Sequence, residues 1–386
     1  MSTDPIEFAR ALIRCPSVTP DEGGALSYIE NVLRPAGYAV HRMTFSEPGT
    51  PDVENLYARI GTARPNLCFA GHTDVVPPGA LKAWTHDPFA AEVKDGHLFG
   101  RGAVDMKGAI ACFMAAALRV KAAGEPRGSI SFLITGDEEG PSINGTAKVL
   151  DWLVQRGEKL DACVVGEPSN PKSLGDEIKI GRRGSLNAEL VISGKQGHAA
   201  YPQLAENPVP KLARIIDRLS SQVLDQGTSN FEPSSLQVTV ISAPNTATNV
   251  IPAQASAKFN IRYNDLWRRP QLEDWVRLHC EAAGESVGAR WTVAFSGTGD
   301  VFLTNPGPLV DTMRDAVHSI TGRMPALTTG GGTSDARFIQ AYCPVIEFGL
   351  VNATIHQVDE RVALKDLEQL TEIYEGFIGN FFSRTI

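Results

Sequence analysis

The chain has 386 residues, a formal net charge of −8, and 42% hydrophobic residues. This length predicts about two domains, with enough apolar material for a sizeable core. The acidic balance argues against nucleic acid or an anionic membrane as the main partner. No segment approaches the roughly 18 consecutive apolar residues that a transmembrane helix needs.

The N-terminal segment and the cysteines indicate a cytoplasmic protein. The segment MSTDPIEFARALIRCPS contains early acids and lacks the long apolar core of a secretion signal. The six cysteines are scattered, and no CxxC pair occurs. We therefore expect reduced core cysteines rather than disulfides, and any metal site must use histidine and carboxylate ligands.

The first part of the chain alternates helical patterns with short apolar runs. In chain order these predict a helix at 5–14, a helix at 24–36, a strand at 66–70, a helix at 108–123, a strand at 129–134 and a strand at 162–165. Such alternation predicts an α/β domain with a mixed, largely parallel sheet and helices on both faces. Ligands bind where the strands of such a sheet end.

The pattern changes at Gly184. The following segments predict a strand at 185–193, a helix at 208–224, strands at 236–242 and 255–263, a helix at 270–283 and a strand at 290–295. The order β-α-β-β-α-β is that of a ferredoxin-like unit. The α/β style returns after Gly297, so we expect one domain built from residues 1–183 and 297–386, interrupted by a smaller α+β domain at 184–296.

Two motifs in the first domain contain candidate metal ligands. His72 and Asp74 in GHTDVVPPG follow a predicted strand and, two residues apart, point the same way, so Asp74 is suited to orient the imidazole of a metal ligand. The alternative is a surface turn. Asp105 in GRGAVDMKG precedes a predicted helix, and its alternative role is helix capping.

Adjacent acids end the next predicted strand, in TGDEEG. Glu138 and Glu139 repel each other unless a cation or a shared proton relieves them. Because neighbouring residues point in different directions, one is suited to bind metal and the other to act as general base; a solvated acidic turn is the alternative. Glu167 in GEPSN and His356 in VNATIH follow two further strands.

The candidate ligands at the strand ends comprise two histidines and three carboxylates, with no thiolate. This set suits two divalent metals, each held by one histidine and one terminal carboxylate, with a further carboxylate bridging them. Nitrogen and oxygen ligands favour zinc, with cobalt or manganese able to substitute.

Taken with these residues, a series of motifs along almost the whole chain resembles the M20 family of dinuclear zinc amidohydrolases. The motifs are GHTDVVPPG, GRGAVDMKG, TGDEEGPSINGT, GEPS, IKIGRRGS, GKQGHAAYP, TATNVIPA, GGTSDARF and VNATIHQVDE. They are most similar to the branch of the family that acts on N-succinyl-LL-2,6-diaminopimelate. The resemblance implies a zinc-peptidase-like catalytic domain and makes the inserted domain a lid that also forms a homodimer.

The resemblance also implies a role for each candidate. Two zinc ions would be bound per subunit, with cobalt able to substitute, and Glu138 would be the general base. Asp74 would not bind metal itself but would contact His72 and orient its ring. The implied ligands are His72 and Glu167 for one metal, Glu139 and His356 for the other, and Asp105 as the bridge.

The implied substrate carries several carboxylates, so its binding site must contain positively charged side chains. Arg182 and Arg183 in IKIGRRGS are suited to bind a carboxylate with two hydrogen bonds, or else form an exposed basic hinge. By resemblance, His198 in QGHAAYP would reach the partner subunit's active site and stabilise the developing oxyanion. Further expected substrate contacts are Ser185, Asn249, Arg262, Thr333 and Asn352.

The implied reaction is hydrolysis of the succinyl amide, giving succinate and LL-2,6-diaminopimelate, in lysine and meso-diaminopimelate biosynthesis. Another amidohydrolase of the family, such as an acetylornithine deacetylase, a dipeptidase or a carboxypeptidase, is the nearest alternative. A non-catalytic family member is a second alternative, and it predicts a missing ligand or base, whereas this sequence has all of them.

Overall fold

The computed structural model describes residues 2–384, apart from the side chain of residue 298. The chain divides into two compact units. The first consists of Met1–Ile180, Thr304–Thr328 and Ser334–Ile386, and the second of Gly181–Leu303 and Thr329–Thr333. The second unit therefore includes a glycine-rich segment outside the predicted insertion at 184–296, and the functional roles assigned to the two domains stay predictions.

The helices and strands are numbered here in chain order. The helices are α1 (Pro5–Ile13), α2 (Ala25–Leu33), α3 (Lys107–Ala123), α4 (Thr146–Gln155), α5 (Pro208–Ser220), α6 (Arg269–Val287), α7 (Pro308–Thr321), α8 (Ala336–Ile339) and α9 (Leu364–Arg384). The strands are β1 (Ala39–Phe45), β2 (Val53–Ile60), β3 (Asn66–His72), β4 (Glu92–Lys94), β5 (His97–Phe99), β6 (Ser129–Thr135), β7 (Ala162–Val165), β8 (Glu177–Lys179), β9 (Gly181–Arg182), β10 (Gly184–Ser193), β11 (Gly197–His198), β12 (Ser235–Ser242), β13 (Val250–Ile251), β14 (Gln254–Tyr263), β15 (Arg290–Gly299), β16 (Phe302–Leu303), β17 (Ala326–Thr328), β18 (Val345–Glu347) and β19 (Arg361–Ala363).

The first unit contains an eight-stranded sheet in the order β1-β2-β6-β3-β7-β18-β8-β17. Its centre, β6-β3-β7-β18, is parallel throughout. Antiparallel pairs join β1 to β2, β2 to β6 and β18 to β8. The predicted mixed, largely parallel sheet is therefore confirmed, and the parallel centre brings the carboxyl ends of four strands to one edge.

The central strands are buried along their whole length, as parallel strands covered on both faces are. Every residue of β3 and of β6 is buried. Helix α3 lies in the core of this unit and packs against α1 and α9. The rings of Phe69 on β3 and Phe113 on α3 stack at a centroid distance of 4.4 Å, and Tyr374 of α9 packs edge-on against both.

The second unit contains a four-stranded antiparallel sheet in the order β12-β14-β10-β15. Together with α5 and α6, which follow the first and third of its strands along the chain, it has the predicted ferredoxin-like order β-α-β-β-α-β. Its core is formed by the alternating buried residues of β10 and β14 and the apolar residues of both helices. The predicted inserted α+β fold is therefore confirmed.

The structure also contains elements that the patterns did not predict. Strands β1 and β2 form an antiparallel pair at the edge of the large sheet, where Arg42 and Glu54 form an ion pair. The predicted helix at 208–224 ends at Ser220, and the helix predicted to end at 283 continues to Val287. In the part of the chain that the structure describes, no helix is long and apolar enough to cross a membrane.

The aromatic cluster under the large sheet gives a stability prediction. Phe69→Ala removes a fully buried ring and should lower the free energy of unfolding by about 3–5 kcal/mol. Urea unfolding followed by tryptophan fluorescence measures this change. The control Leu81→Ala, at a side chain that is 62% exposed, should change it by no more than about 0.5 kcal/mol. Equal effects of the two substitutions would contradict this account of the core.

Candidate metal and catalytic site

The candidate ligands of the first unit meet at the carboxyl edge of the parallel strands. His72 is the last residue of β3, while Glu138 and Glu139 follow β6, and Glu167 follows β7. These three strands are neighbours in the sheet, so their ends lie side by side. His356 lies in the loop after β18, with a left-handed backbone at φ +58°.

Asp105 is placed between the two histidines. Its Oδ1 lies 3.1 Å from His72 Nε2, and its Oδ2 lies 3.1 Å from His356 Nε2. The carboxylate is almost completely buried in the turn before α3. One carboxylate that faces two imidazole nitrogens with different oxygens has the arrangement of a bridging metal ligand.

The other two predicted ligands pair with the same histidines. Glu139 Oε1 lies 2.8 Å from His356 Nε2, and Glu167 Oε1 lies 3.7 Å from His72 Nε2. Ligand atoms of His72, Asp105 and Glu139 lie within 4.8 Å of one another, as do those of His72, Glu138 and Glu167. The predicted ligands therefore form one cluster, and Glu138 lies in the same cluster.

Asp74 contacts His72 through both its main chain and its side chain. His72 Nδ1 donates a hydrogen bond to the main-chain carbonyl of Asp74 at 2.8 Å, whereas the Asp74 carboxylate lies 3.5 Å away. The carboxylate accepts hydrogen bonds from the main-chain N–H groups of Glu138 (3.3 Å) and Glu139 (3.0 Å). Asp74 thus contacts the ring through its backbone and its side chain, and its carboxylate also fixes the main chain of the two glutamates.

Charges in the cluster shift several pKa values. Burial raises the pKa of Glu138 to about 8, an effect that His72 opposes and that Asp335 and Asp105 reinforce. Burial and the nearby carboxylates of Asp105 and Glu138 likewise raise the pKa of Glu167 well above its usual range. Crowded acids of this kind are relieved by a cation.

The histidines shift in the opposite sense to that expected from burial. Hydrogen bonds with Asp105 and Glu139 raise the pKa of His356 to about 10. Burial alone would lower the pKa of His72, but hydrogen bonds with Asp105 and Asp74 outweigh it and raise this pKa well above the usual range. Two imidazoles and four carboxylates in contact, with the ring Nε2 atoms facing acids, form a donor set that fits divalent metals such as zinc.

Asp137, the first acid of TGDEEG, shapes the turn after β6. Its Oδ2 accepts hydrogen bonds from the main-chain N–H groups of Ile143 and Asn144, both at 2.8 Å. Its carboxylate therefore closes the loop that starts with Glu138 and Glu139.

Sequence reasoning assigned no role to Glu360 and Arg101, which are both buried beside Asp105. Glu360 accepts hydrogen bonds from the Arg101 guanidinium and from three main-chain N–H groups of the turn that carries Asp105. Glu360 is the last residue of the motif VNATIHQVDE, but its spacing from the other residues of the motif did not indicate that it is buried. Its contacts are all with main chain or arginine, which no residue pattern reveals.

Among the expected substrate contacts, Asn352 belongs to the first unit. Its main-chain N–H donates to the carbonyl of Asn170 at 2.9 Å, and its side-chain amide lies 3.5 Å from the carbonyl of Pro168. Asn352 therefore lies beside the loop that carries Glu167.

The second unit contains a pair of neighbouring arginines. Burial and the nearby Arg183 lower the pKa of Arg262. Arg183 lies 3.3 Å from Glu232, while no carboxylate among the described residues is within 4 Å of Arg262. Ser185 pairs directly with Arg262 across β10 and β14, so these three residues lie at one end of the sheet.

Arg182, in the same unit, forms hydrogen bonds with main-chain carbonyl groups. Its guanidinium donates hydrogen bonds to the carbonyls of Gly330 (3.2 Å) and Gly332 (3.0 Å) in the segment Thr329–Thr333. Arg182 thereby fixes the main chain beside Thr333, another of the expected contacts.

His198 and Asn249 lie together at a two-stranded ribbon, and both residues are exposed. His198 on β11 pairs with Val250 on β13, and the carbonyl of Asn249 accepts a hydrogen bond from the N–H of Ala199 at 2.8 Å. The N–H of Ala200 donates to His198 Nδ1 at 3.0 Å. In the neutral ring this bond leaves the proton on Nε2, which makes that nitrogen a donor toward solvent.

The chain is similar to known proteins over nearly its whole length. A family model described as Peptidase family M20/M25/M40 matches residues 68–380. A protein named succinyl-diaminopimelate desuccinylase from Rhodopseudomonas palustris (strain BisA53) is 57% identical over 385 residues, which cover 98% of this chain and 99% of that protein. A protein of the same name from Rhodospirillum centenum is 56% identical over 384 residues, covering 99% and 98%.

Solved structures match over nearly the full length. An M20 family metallo-carboxypeptidase from Sulfolobus solfataricus has a TM-score of 0.81 at 18% identity and covers 99% of this chain and 100% of its own. The aminopeptidase PepT from Bacillus cereus has a TM-score of 0.79 at 20% identity, with 99% of both chains covered. At these identities the likeness concerns the fold alone.

The shifted pKa values predict how pH affects the metal-free protein. Folding raises the pKa of Glu138 to about 8 and that of His356 to about 10, so the folded state holds protons that the unfolded state releases. The free energy of unfolding in the presence of a chelator should therefore fall as pH rises from about 5 to about 9. Urea unfolding at a series of pH values measures this slope.

The variant Glu138→Gln should flatten that slope between about pH 5 and pH 8, because it removes one of the shifted acids. Glu125→Gln, at an exposed acid, is the control and should leave the slope unchanged. Stability that stays constant or increases over this pH range would contradict the charge assignment of the site.

Proposed function

The chain belongs to the M20/M25/M40 peptidase family, and we propose that it is a metal-dependent amidohydrolase that converts N-succinyl-LL-2,6-diaminopimelate into succinate and LL-2,6-diaminopimelate. The names of relatives at 55–57% identity over nearly the whole chain support this substrate. The reaction is a step of lysine and meso-diaminopimelate biosynthesis, which makes the cytoplasm the expected compartment.

The observation that carries the proposal is the position of Asp105 between the Nε2 atoms of His72 and His356, at 3.1 Å from each. Two zinc ions would be held, with Asp105 as the shared ligand and cobalt able to substitute. His72 and Glu167 would complete one metal site, and Glu139 and His356 the other. Each histidine is already paired with the carboxylate that this assignment requires.

The bound metals would supply a Lewis acid and lower the pKa of water. Glu138 accepts the proton of the attacking water and returns it to the departing amine as the amide bond breaks. The structure supports this role in two ways. Glu138 lies within the ligand cluster, and the Asp74 carboxylate fixes its main chain, so its side chain starts from a defined position.

The cations of the second unit suit the carboxylates of the substrate. Arg262 and Arg183 are neighbours, and like charges held together are stabilised by a bound anion. Their guanidinium groups can each bind a carboxylate with two hydrogen bonds, with Ser185 beside them as a further donor. Arg182, Asn249, Thr333 and Asn352 are proposed as additional substrate contacts.

His198 is proposed as the donor to the oxyanion. Because Ala200 N–H occupies Nδ1, the Nε2–H of the neutral ring is available to donate to the carbonyl oxygen as negative charge develops. By family resemblance, this histidine serves the active site of the partner subunit, so that activity requires a homodimer.

The exposed edge of the second unit supports such a dimer. Strand β12 is at the edge of the four-stranded sheet, and Val240 and Ile241 on it are 46% and 66% exposed. An apolar edge strand with free hydrogen-bonding groups pairs readily with a second copy. We propose that the lid, the inserted unit, dimerises through this edge.

Other members of the family remain the alternatives, as they share the metal cluster. An acetylornithine deacetylase acts on a substrate with fewer carboxylates, and a dipeptidase or carboxypeptidase acts on peptides. The pair of neighbouring arginines favours the more anionic substrate. A non-catalytic member is disfavoured, because the ligand cluster and Glu138 are all in place.

The function is tested by assaying the zinc-loaded protein with N-succinyl-LL-2,6-diaminopimelate, N-acetylornithine and dipeptides. We expect turnover of the succinylated substrate, loss of activity with a chelator and recovery with zinc or cobalt. Glu138→Gln should lower kcat by about 10²- to 10⁴-fold with metal content unchanged, because it removes the proton acceptor.

Glu125→Gln, at an exposed acid, is the matched control and should retain wild-type kcat. A higher kcat/KM with N-acetylornithine or a dipeptide than with the succinylated substrate would show that the proposed substrate is wrong. Wild-type activity of Glu138→Gln would exclude it as the general base.

The dimer is tested with Ile241→Lys, which places a charge on the exposed edge strand. We expect this variant to elute as a monomer in size-exclusion chromatography and to lose most of its activity, since His198 could no longer reach a partner. Leu278→Lys, at a side chain that is 66% exposed on α6, is the control for an added surface charge. A fully active monomer would refute the proposed assembly.

A further inference from the structure

Glu360 connects two loops that carry different ligands. It is fully buried, and four donors surround its carboxylate. Oε1 accepts hydrogen bonds from the main-chain N–H groups of Val104 (2.9 Å) and Asp105 (3.3 Å), and Oε2 accepts from Gly102 N–H (3.1 Å) and from Arg101 (2.7 Å). The buried Glu360 carboxylate thus holds in place the turn that carries Asp105.

Arg101 extends this connection to the histidine loop. Its Nη2 donates to the carbonyl of His356 at 3.4 Å, and its Nη1 donates to the carbonyl of Gln357 at 3.3 Å. The guanidinium also lies over the ring of Trp84, with 5.2 Å from its carbon to the ring centroid. His356 has φ +58°, a conformation that non-glycine residues adopt only when their surroundings hold them.

We propose that Glu360, acting through Arg101, is a positioning residue that sets the distance between Asp105 and His356 and so determines the affinity of the metal site formed with Glu139. This inference rests on the proposed metal pair. His72 is the last residue of β3 and Glu167 follows β7, and among the described residues neither receives a hydrogen bond from Glu360 or Arg101. The other metal site shares only Asp105 with this network, so it should depend less on Glu360.

The chemistry of the carboxylate explains why glutamine cannot replace it. All four partners of Glu360 are donors, and a carboxylate offers only acceptors. In Glu360→Gln, an amide NH₂ group would face buried N–H donors, and at least one of these would lose its partner. The side chain keeps its size, so the effect comes from the lost acceptor rather than from a cavity.

The test is a calorimetric titration of metal-free protein with Zn²⁺, repeated with Co²⁺ and its visible spectrum. Wild type should show two binding steps, and His356→Ala identifies the step that belongs to His356. Glu360→Gln should weaken that step by about 10- to 100-fold, which is the usual effect of losing a group that orients a ligand. The other step should weaken less, because it shares only Asp105 with this network.

Two further variants separate positioning from general stability. Arg101→Lys keeps the positive charge beside Glu360 but lacks the planar fork that reaches the His356 carbonyl, so it should weaken the same step. Glu158→Gln is the control, because Glu158 is a half-buried acid that, like Glu360, is bonded to an arginine, here Arg59, and also to Tyr57. It should lower stability without altering either metal step.

The possible outcomes are distinct. Unchanged titrations of Glu360→Gln and Arg101→Lys would overturn the positioning role, as would an equal weakening of both steps. A wild-type protein that binds no metal would instead refute the proposed metal centre, and this inference with it.

Discussion

The site depends on one buried carboxylate that faces two imidazoles. Asp105 approaches His72 and His356 with different oxygens, and these three residues come from segments far apart in the chain. The strand order of the large sheet makes this possible, because β3, β7 and β18 are parallel neighbours whose ends share one edge. The fold thus brings distant motifs together into one cluster of candidate metal ligands.

A cluster of acidic side chains is unfavourable unless its negative charge is compensated. Main-chain N–H groups supply part of this compensation. The carboxylates of Asp74, Asp137 and Glu360 do not face the histidine Nε2 atoms; each accepts two or more main-chain N–H groups of the loops that carry the candidate ligands. Hydrogen bonds of this kind favour the charged form of an acid. Burial nevertheless raises the pKa values of Asp137 and Glu360. It also raises the pKa values of Glu138 and Glu167, where neighbouring carboxylates add to the effect.

Much of this arrangement could be predicted from sequence, because long apolar runs and the residues that follow them are local features. The strands at β3, β6 and β7 were predicted this way, and the candidate ligands at their ends are in contact. The ferredoxin-like unit was predicted because its strands are long enough to show alternation. Strands of three residues, such as β8 and β17, are too short to establish a period.

Features that depend on main-chain partners could not be predicted. The sequence suggested that the Asp74 side chain orients His72, but it did not show that the Asp74 carbonyl accepts a hydrogen bond from the ring or that the carboxylate bonds to the glutamate amides. Glu360 gave no signal because its donors belong to the turn at 101–105, distant in sequence. Strands β1 and β2 contain charged residues such as Arg42 and Glu54, which are paired across the two strands and interrupt the apolar pattern.

The central claim is that Asp105 bridges two divalent metals, and anomalous X-ray diffraction tests it most directly. Crystals grown with zinc and measured on both sides of the zinc absorption edge should show two strong peaks per chain, one on each side of the Asp105 carboxylate. One peak should adjoin His72 and Glu167, and the other His356 and Glu139. A single peak, or peaks remote from Asp105, would contradict the account.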